Sequence, residues 1–130
     1  TNRRKMTTVV DEKLKAYRVI QEDIQKLFVK KQQALSQYNE NTLVKGELDL
    51  LDEDSKVFKL VGPVLMSVEL EESKANVAKR LEFIESEIKK ADAAIADKQG
   101  EVTALGDEIA SEQQKMQASA AAAAKEIAGV

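Results

Sequence analysis

The chain has 130 residues, with 20 Lys and Arg against 23 Asp and Glu, a single Pro, five aromatic rings and no His, Cys or Trp. Without His or Cys, the commonest general base, the thiolate nucleophile and the usual ligands of zinc, iron–sulfur clusters and haem are missing. A net charge of −3, with both signs interspersed, gives no electrostatic reason to expect nucleic-acid binding. The composition therefore favours a binding or assembly role over an enzyme, a cofactor or a metal site.

A first long helix is predicted over about residues 8–51, because apolar residues recur at coiled-coil spacing within a strongly charged segment. Lys31, Asn41 and Lys45 interrupt this seam, and polar seam residues either set the register and choice of partner or are tolerated at a loose contact. Leu14, Phe28 and Leu35 widen the apolar stripe, so the helix has surface for more than one neighbour. The seam itself consists of Tyr17, Ile20, Ile24, Leu27, Ala34, Tyr38 and Leu48.

A β-hairpin is predicted over about residues 56–69, where the helical periodicity ends and β-branched and apolar residues become frequent. Gly62-Pro63 lies between two apolar runs and fits a tight turn. Both faces of the hairpin would be apolar, and a lone hairpin is marginal in water. We therefore expect several chains to pool their hairpins in a shared sheet or barrel. The predicted assembly residues are Val57, Phe58, Leu60, Val61, Gly62, Pro63, Val64, Leu65, Met66 and Val68.

A second long helix is predicted over about residues 70–125, where seam positions alternate four and three residues apart in the heptad pattern of a left-handed coiled coil. The Ala-rich run at 120–124 buries little area, so we expect it to be helical only in part, or disordered. The fold is thus predicted to be mainly α, with two long helices in an antiparallel coiled coil joined by the hairpin. The seam positions are Leu70, Lys74, Val77, Leu81, Ile84, Ile88, Ala91, Ile95, Lys98, Val102, Leu105, Ile109, Glu112, Met116, Ser119, Ala123, Glu126 and Val130.

Membrane insertion is not predicted, because no apolar run approaches the roughly 18 residues that span a bilayer and the first residues lack the apolar region of a signal peptide. We expect a soluble intracellular protein. The length suits one domain over residues 1–130.

Three segments closely resemble the beta-class prefoldins of eukaryotes: ENTLVKGELDLL at 40–51, VFKLVGPVL at 57–65 and VAKRLEFI at 77–84. They combine a helix end, a Gly-Pro hairpin and a helix restart at matching spacings, and the resemblance extends over about residues 10–115. It implies one subunit of a hexamer of two alpha-class and four beta-class chains, whose hairpins form a double β-barrel. It further implies a cytoplasmic chaperone that captures nonnative proteins such as actin and tubulin without ATP and delivers them to the group II chaperonin.

The resemblance also implies that clients bind where the ends of the two helices meet. Unpaired apolar side chains there would offer an adaptable surface, and Met is suited to promiscuous contacts. The alternative is that these residues are ordinary seam positions at the end of a coiled coil. The predicted client-binding residues are Met6, Val9, Val10, Met116, Ala120, Ile127 and Val130.

A structural scaffold or tether without client-holding activity is the alternative function. Such a protein would use the coiled coil but would have no need for the apolar hairpin. A carboxylate- or lysine-based enzyme is a third class, and the sequence contains no phosphate-binding loop or nucleophile motif to support it.

Overall fold

The computed structural model describes residues 2–129, and their side chains from residue 4 onward. In chain order the elements are helix α1 (Asn2–Asp49), strand β1 (Val57–Val61), strand β2 (Val64–Val68) and helix α2 (Leu70–Ala128). Two long helices with an antiparallel hairpin between them confirm the predicted, mainly α, class of fold. Within the described residues, no helix combines the length and hydropathy needed to cross a membrane.

Backbone hydrogen bonds close the two helix ends that adjoin the hairpin, namely the end of α1 and the start of α2. After α1, the Leu50 N–H donates to the Glu47 carbonyl at 3.2 Å and the Leu51 N–H to the Leu48 carbonyl at 3.2 Å, which tightens the last turn. At the start of α2, the Glu69 carbonyl accepts from the Ser73 N–H at 3.0 Å. Glu71 and Glu72 occupy the first turn of α2, where negative charge is favoured by the helix dipole.

The C-terminal end of α2 differs from the prediction, because the helix continues through the Ala-rich run to Ala128. The prediction that residues 120–124 are helical only in part or disordered is therefore wrong. Extending an existing helix carries no nucleation cost, and Ala has the highest helix propensity of all residues. Burial is thus not needed to keep this run helical. The Gly129 N–H donates to the Lys125 carbonyl at 2.9 Å and closes the final turn.

The hairpin turns at Gly62-Pro63, and β1 and β2 pair from Val57 opposite Val68 to Val61 opposite Val64. Gly62 has a φ of +58°, a conformation that glycine adopts at little cost. Pro63 is held near −65° by its ring. A positive φ followed by a negative one belongs to the type II′ turn, whose twist matches that of paired strands.

The chain comprises two compact units, and the first contains Thr1–Leu27 and Ala94–Val130. Its buried apolar residues are Val10, Ile95 and Ile109. The Lys13 ammonium pairs with the Glu108 carboxylate at 2.7 Å, and Lys98 with Asp23 at 3.9 Å. From Lys13 to Asp23, α1 advances by ten residues, while the partners on α2 go back by ten, from Glu108 to Lys98. The two helices are therefore antiparallel here, as predicted.

The second unit contains Phe28–Ala93, including the hairpin. Leu48 of α1 and Val77, Ile84 and Ala91 of α2 are buried in it. Lys31, one of the polar seam residues, pairs with Asp92 of α2 at 2.7 Å. Both side chains retain solvent contact, so the pair contributes less than about 1 kcal/mol to the free energy of unfolding. Its geometry supports a role in register rather than in stability.

The seam prediction for α2 is confirmed from Leu70 to Met116, where every predicted position is buried or half-buried. Ser119, Ala123 and Glu126 are exposed instead. Their side chains are small or charged and give little apolar area to bury. The predicted seam of α1 is likewise buried or half-buried, except that Lys45 is exposed.

Replacing Ile95 by Ala is expected to destabilise the chain, because Ile95 is one of the few buried side chains of the first unit. A buried Ile→Ala change costs about 2–4 kcal/mol, through lost burial and the cavity left behind. Thermal unfolding followed by circular dichroism would show a lowered midpoint. Val19 is exposed on α1, so Val19→Ala should leave the midpoint nearly unchanged, and equal losses in both variants would contradict the assigned core.

Candidate functional site

The hairpin exposes apolar side chains on both of its faces. Strand alternation and the observed register place Val57, Val61, Val64, Met66 and Val68 on one face with Lys59. Phe58, Leu60 and Leu65 lie on the other with Ser67. Only Val57 and Val68, at the root, are half-buried, and the remaining apolar residues are exposed. All ten predicted assembly residues therefore lie in or beside one small sheet, which we call the hairpin surface (residues 57–68).

The strand edges of the hairpin surface also have free backbone groups. Val61 and Val64 flank the two-residue turn, so they exchange backbone hydrogen bonds with each other. Every second pair along an antiparallel ladder does the same, which here means Lys59 with Met66 and Val57 with Val68. Phe58 and Leu60 on β1, and Leu65 and Ser67 on β2, then direct their N–H and C=O groups outward. An open edge of this kind is a template for another strand.

The predicted tip residues lie in the first unit. Because Lys13 is paired with Glu108 in an antiparallel register, Met6 comes level with residue 115, next to Met116. Met6, Val9, Met116 and Ala120 are half-buried, and Val10 is buried. Ile127 is 77% exposed. Val130 lies outside the described residues. Whether these side chains contact clients stays a prediction.

Several large exposed side chains lie outside both predicted sites. Leu43 and Val44 on α1, Leu50 just after it, and Phe83 on α2 are all exposed. The sequence did contain a signal for them, because a large apolar residue off the seam of a charged helix has no partner within a two-helix coiled coil. All four belong to the unit that carries the hairpin.

The chemistry that these surfaces offer is apolar packing and backbone pairing. In the described part of the chain, no group of three or more acidic side chains is arranged to hold a metal ion. Buried polar side-chain atoms that lack a hydrogen bond are also absent from the described residues. The unsatisfied groups are thus the exposed apolar side chains and the strand edges.

The chain is similar in sequence to known proteins. Residues 11–116 match the family described as "Prefoldin subunit". A protein named "Probable prefoldin subunit 6" from Caenorhabditis elegans is 40% identical over 115 residues, which cover 88% of this chain and 91% of that protein. "Prefoldin subunit 6" from Homo sapiens is 37% identical over 123 residues, covering 92% of this chain and 95% of that one.

A solved structure agrees with the fold. The crystal structure of the prefoldin beta subunit from Thermococcus strain KS-1 matches with a TM-score of 0.73 and 20% identity, over 78% of this chain and 90% of that one. The similarity of fold, the family match and the extent of the sequence identity agree with the resemblance found in residues 40–84. The chain therefore belongs to the prefoldin family of chaperone subunits.

Proposed function

We propose that this chain acts in a cytoplasmic heterohexamer of two alpha-class and four beta-class prefoldin subunits. The complex holds nonnative proteins such as actin and tubulin without ATP and delivers them to the group II chaperonin. The chain itself supplies an assembly surface, the hairpin, and a client-contacting end of its coiled coil. The observation that carries the proposal is the exposed hairpin surface in a member of this family.

The apolar area that the hairpin leaves exposed to water is the reason to propose that assembly is obligatory. Six of its apolar side chains are exposed, and fully burying each would contribute about 1.5–3 kcal/mol. Two strands cannot cover both faces of their own sheet. Strands from neighbouring subunits would cover the faces and pair with the free edges, forming a barrel without open edges.

The client-contacting role is supported by the apolar residues of the first unit. Exposed Ile127 and half-buried Met6 and Met116 can exchange contacts with an unfolded chain, because flexible side chains adapt to many partners. Each contact is weak. Several coiled coils binding one client at once would raise the overall affinity well above that of any single end.

The test is to purify the complex that contains this chain and to measure both its mass and its activity. Native mass spectrometry should show a heterohexamer. The purified complex, without ATP, should keep chemically denatured actin from aggregating on dilution. A complex of two or three chains, or a hexamer with no effect on aggregation, would contradict the proposal, and the second result would favour a scaffold.

A further inference from the structure

Two cavities lie next to each other in the second unit, one at the root of the hairpin and one between the helices. The first part, about 200 Å³, is lined by residues that include Val44, Phe58, Lys59 and Arg80. The second part, about 450 Å³, is lined by residues that include Arg80, Lys79 and Phe83. Both cavities share the Arg80 side chain as a wall. We call them together the basic groove, defined by Val44, Phe58, Lys59, Lys79, Arg80 and Phe83.

The basic groove has a charge opposite to that of its surroundings. Residues 28–93 contain ten Lys and Arg against 13 Asp and Glu. Three cations nevertheless line the groove, and no Asp or Glu lines either of its parts. Lys59, Lys79 and Arg80 form no ion pair within the described residues. Three free cations beside one groove attract a negatively charged occupant.

The basic groove is also apolar. Val44, Phe58 and Phe83 are exposed along it, Phe83 with 66% of its surface in contact with solvent. An occupant that combines apolar side chains with carboxylates would complement both properties. Aromatic side chains, Phe included, and Arg are enriched at protein–protein interfaces.

The chain itself contains a segment with this composition, between α1 and β1. Leu50 and Leu51 are followed by Asp52, Glu53 and Asp54, and all five are exposed. The neighbouring subunit is taken to have the same fold, and an occupant of this kind requires an apolar and acidic connection between the first helix and the hairpin of that subunit, as in this chain. Since Phe58 belongs to both the hairpin surface and the basic groove, a neighbour that pairs with the hairpin lies within reach of the groove.

We propose that the basic groove binds the apolar and acidic helix-to-hairpin connection of a neighbouring subunit in the oligomer. This inference rests on the proposed assembly and adds a specific contact to it. Strand pairing is largely independent of sequence, whereas the match between a basic groove and an acidic connection depends on side chains. The groove thereby helps to select which subunit takes the adjacent position.

The first test reverses one charge of the groove. Arg80→Glu should lower the affinity for the partner subunits by about tenfold or more, because it places like charges together at an interface. Lys89→Glu is the matched control, since Lys89 is an exposed cation of the same helix that does not line the groove. Wild-type and variant chains with different mass tags would compete for the subunits that co-purify with the tagged chain. Native mass spectrometry would give their incorporation ratio.

The second test identifies the occupant. A photo-crosslinking p-benzoylphenylalanine in place of Phe83 conserves an aromatic side chain and should crosslink to the acidic connection of another subunit of the complex. A crosslink to any other segment, to a client polypeptide or to nothing would overturn the proposal. So would equal incorporation of Arg80→Glu and Lys89→Glu. Either failure would leave the proposed function intact as long as the wild-type chain still forms an active hexamer.

Discussion

Replacing Val61 by Asp is expected to keep the chain out of its oligomer while leaving the helices of the isolated chain intact. Val61 is 48% exposed in the single chain, so a carboxylate there remains solvated before assembly. In a shared barrel the same carboxylate would be buried without a partner, at a cost of about 3–5 kcal/mol. This corresponds to a loss in affinity of at least about a hundredfold. Sedimentation and native mass spectrometry would measure the loss.

Two further variants make the result specific. Val61→Ile retains the branched apolar side chain that strands favour and should assemble normally. Val29→Asp introduces the same charge at a helix position of similar exposure, 50%, outside the hairpin, and should also assemble. If Val61→Asp appeared in a complex of normal mass, the assembly surface would lie elsewhere. Circular dichroism of the isolated chains would verify that all three variants are helical.

Deleting residues 1–10 together with 117–130 is expected to leave the oligomer intact and to impair client holding. All deleted residues belong to the first unit, whereas the hairpin surface belongs to the second. The truncated chain loses Met6 and Ile127, and with them apolar contacts that several coiled coils combine on one client. Because such contacts multiply in avidity, we expect about tenfold more complex to be required for the same suppression of actin aggregation.

Two point variants, which leave the helices at full length, separate the loss of apolar contacts from the loss of helix. Ile127→Asp removes one exposed apolar side chain, and Ala121→Asp adds the same charge at an exposed position of the same helix. The first should weaken client holding more than the second. Unchanged holding by the truncated complex would refute binding at this end, and equal effects of the two point variants would attribute the loss to charge.

Much of the fold could be predicted from local patterns. The α2 seam from Leu70 to Met116 follows from heptad spacing, because a helix with one apolar face must bury that face. The hairpin follows from Gly62-Pro63, since proline cannot continue a helix and glycine accepts the positive φ of the turn. The Ala-rich run was mispredicted, because burial was taken as the requirement where propensity and continuation of an existing helix suffice.

The hairpin site could be located from the sequence because its residues are contiguous. The basic groove could not, since the residues that line its second part are separated by up to 47 positions, from Gln37 of α1 to Ile84 of α2. Phe83 was visible only as an apolar residue off the seam. That it lines a cavity together with Gln37 and Asn41 of α1 depends on how the two helices pack against each other.

The sequence by itself determined the two helices, the turn between the strands and the membership in a family, because these depend on spacing and on residue types that are adjacent along the chain. Only the tertiary structure decided which apolar residues remain in water. Burial depends on what packs across from a residue, so Val10 is buried, Ile127 is exposed and Phe83 lines a groove. The contacts available to other proteins are set at that level, where residues distant in the chain come together.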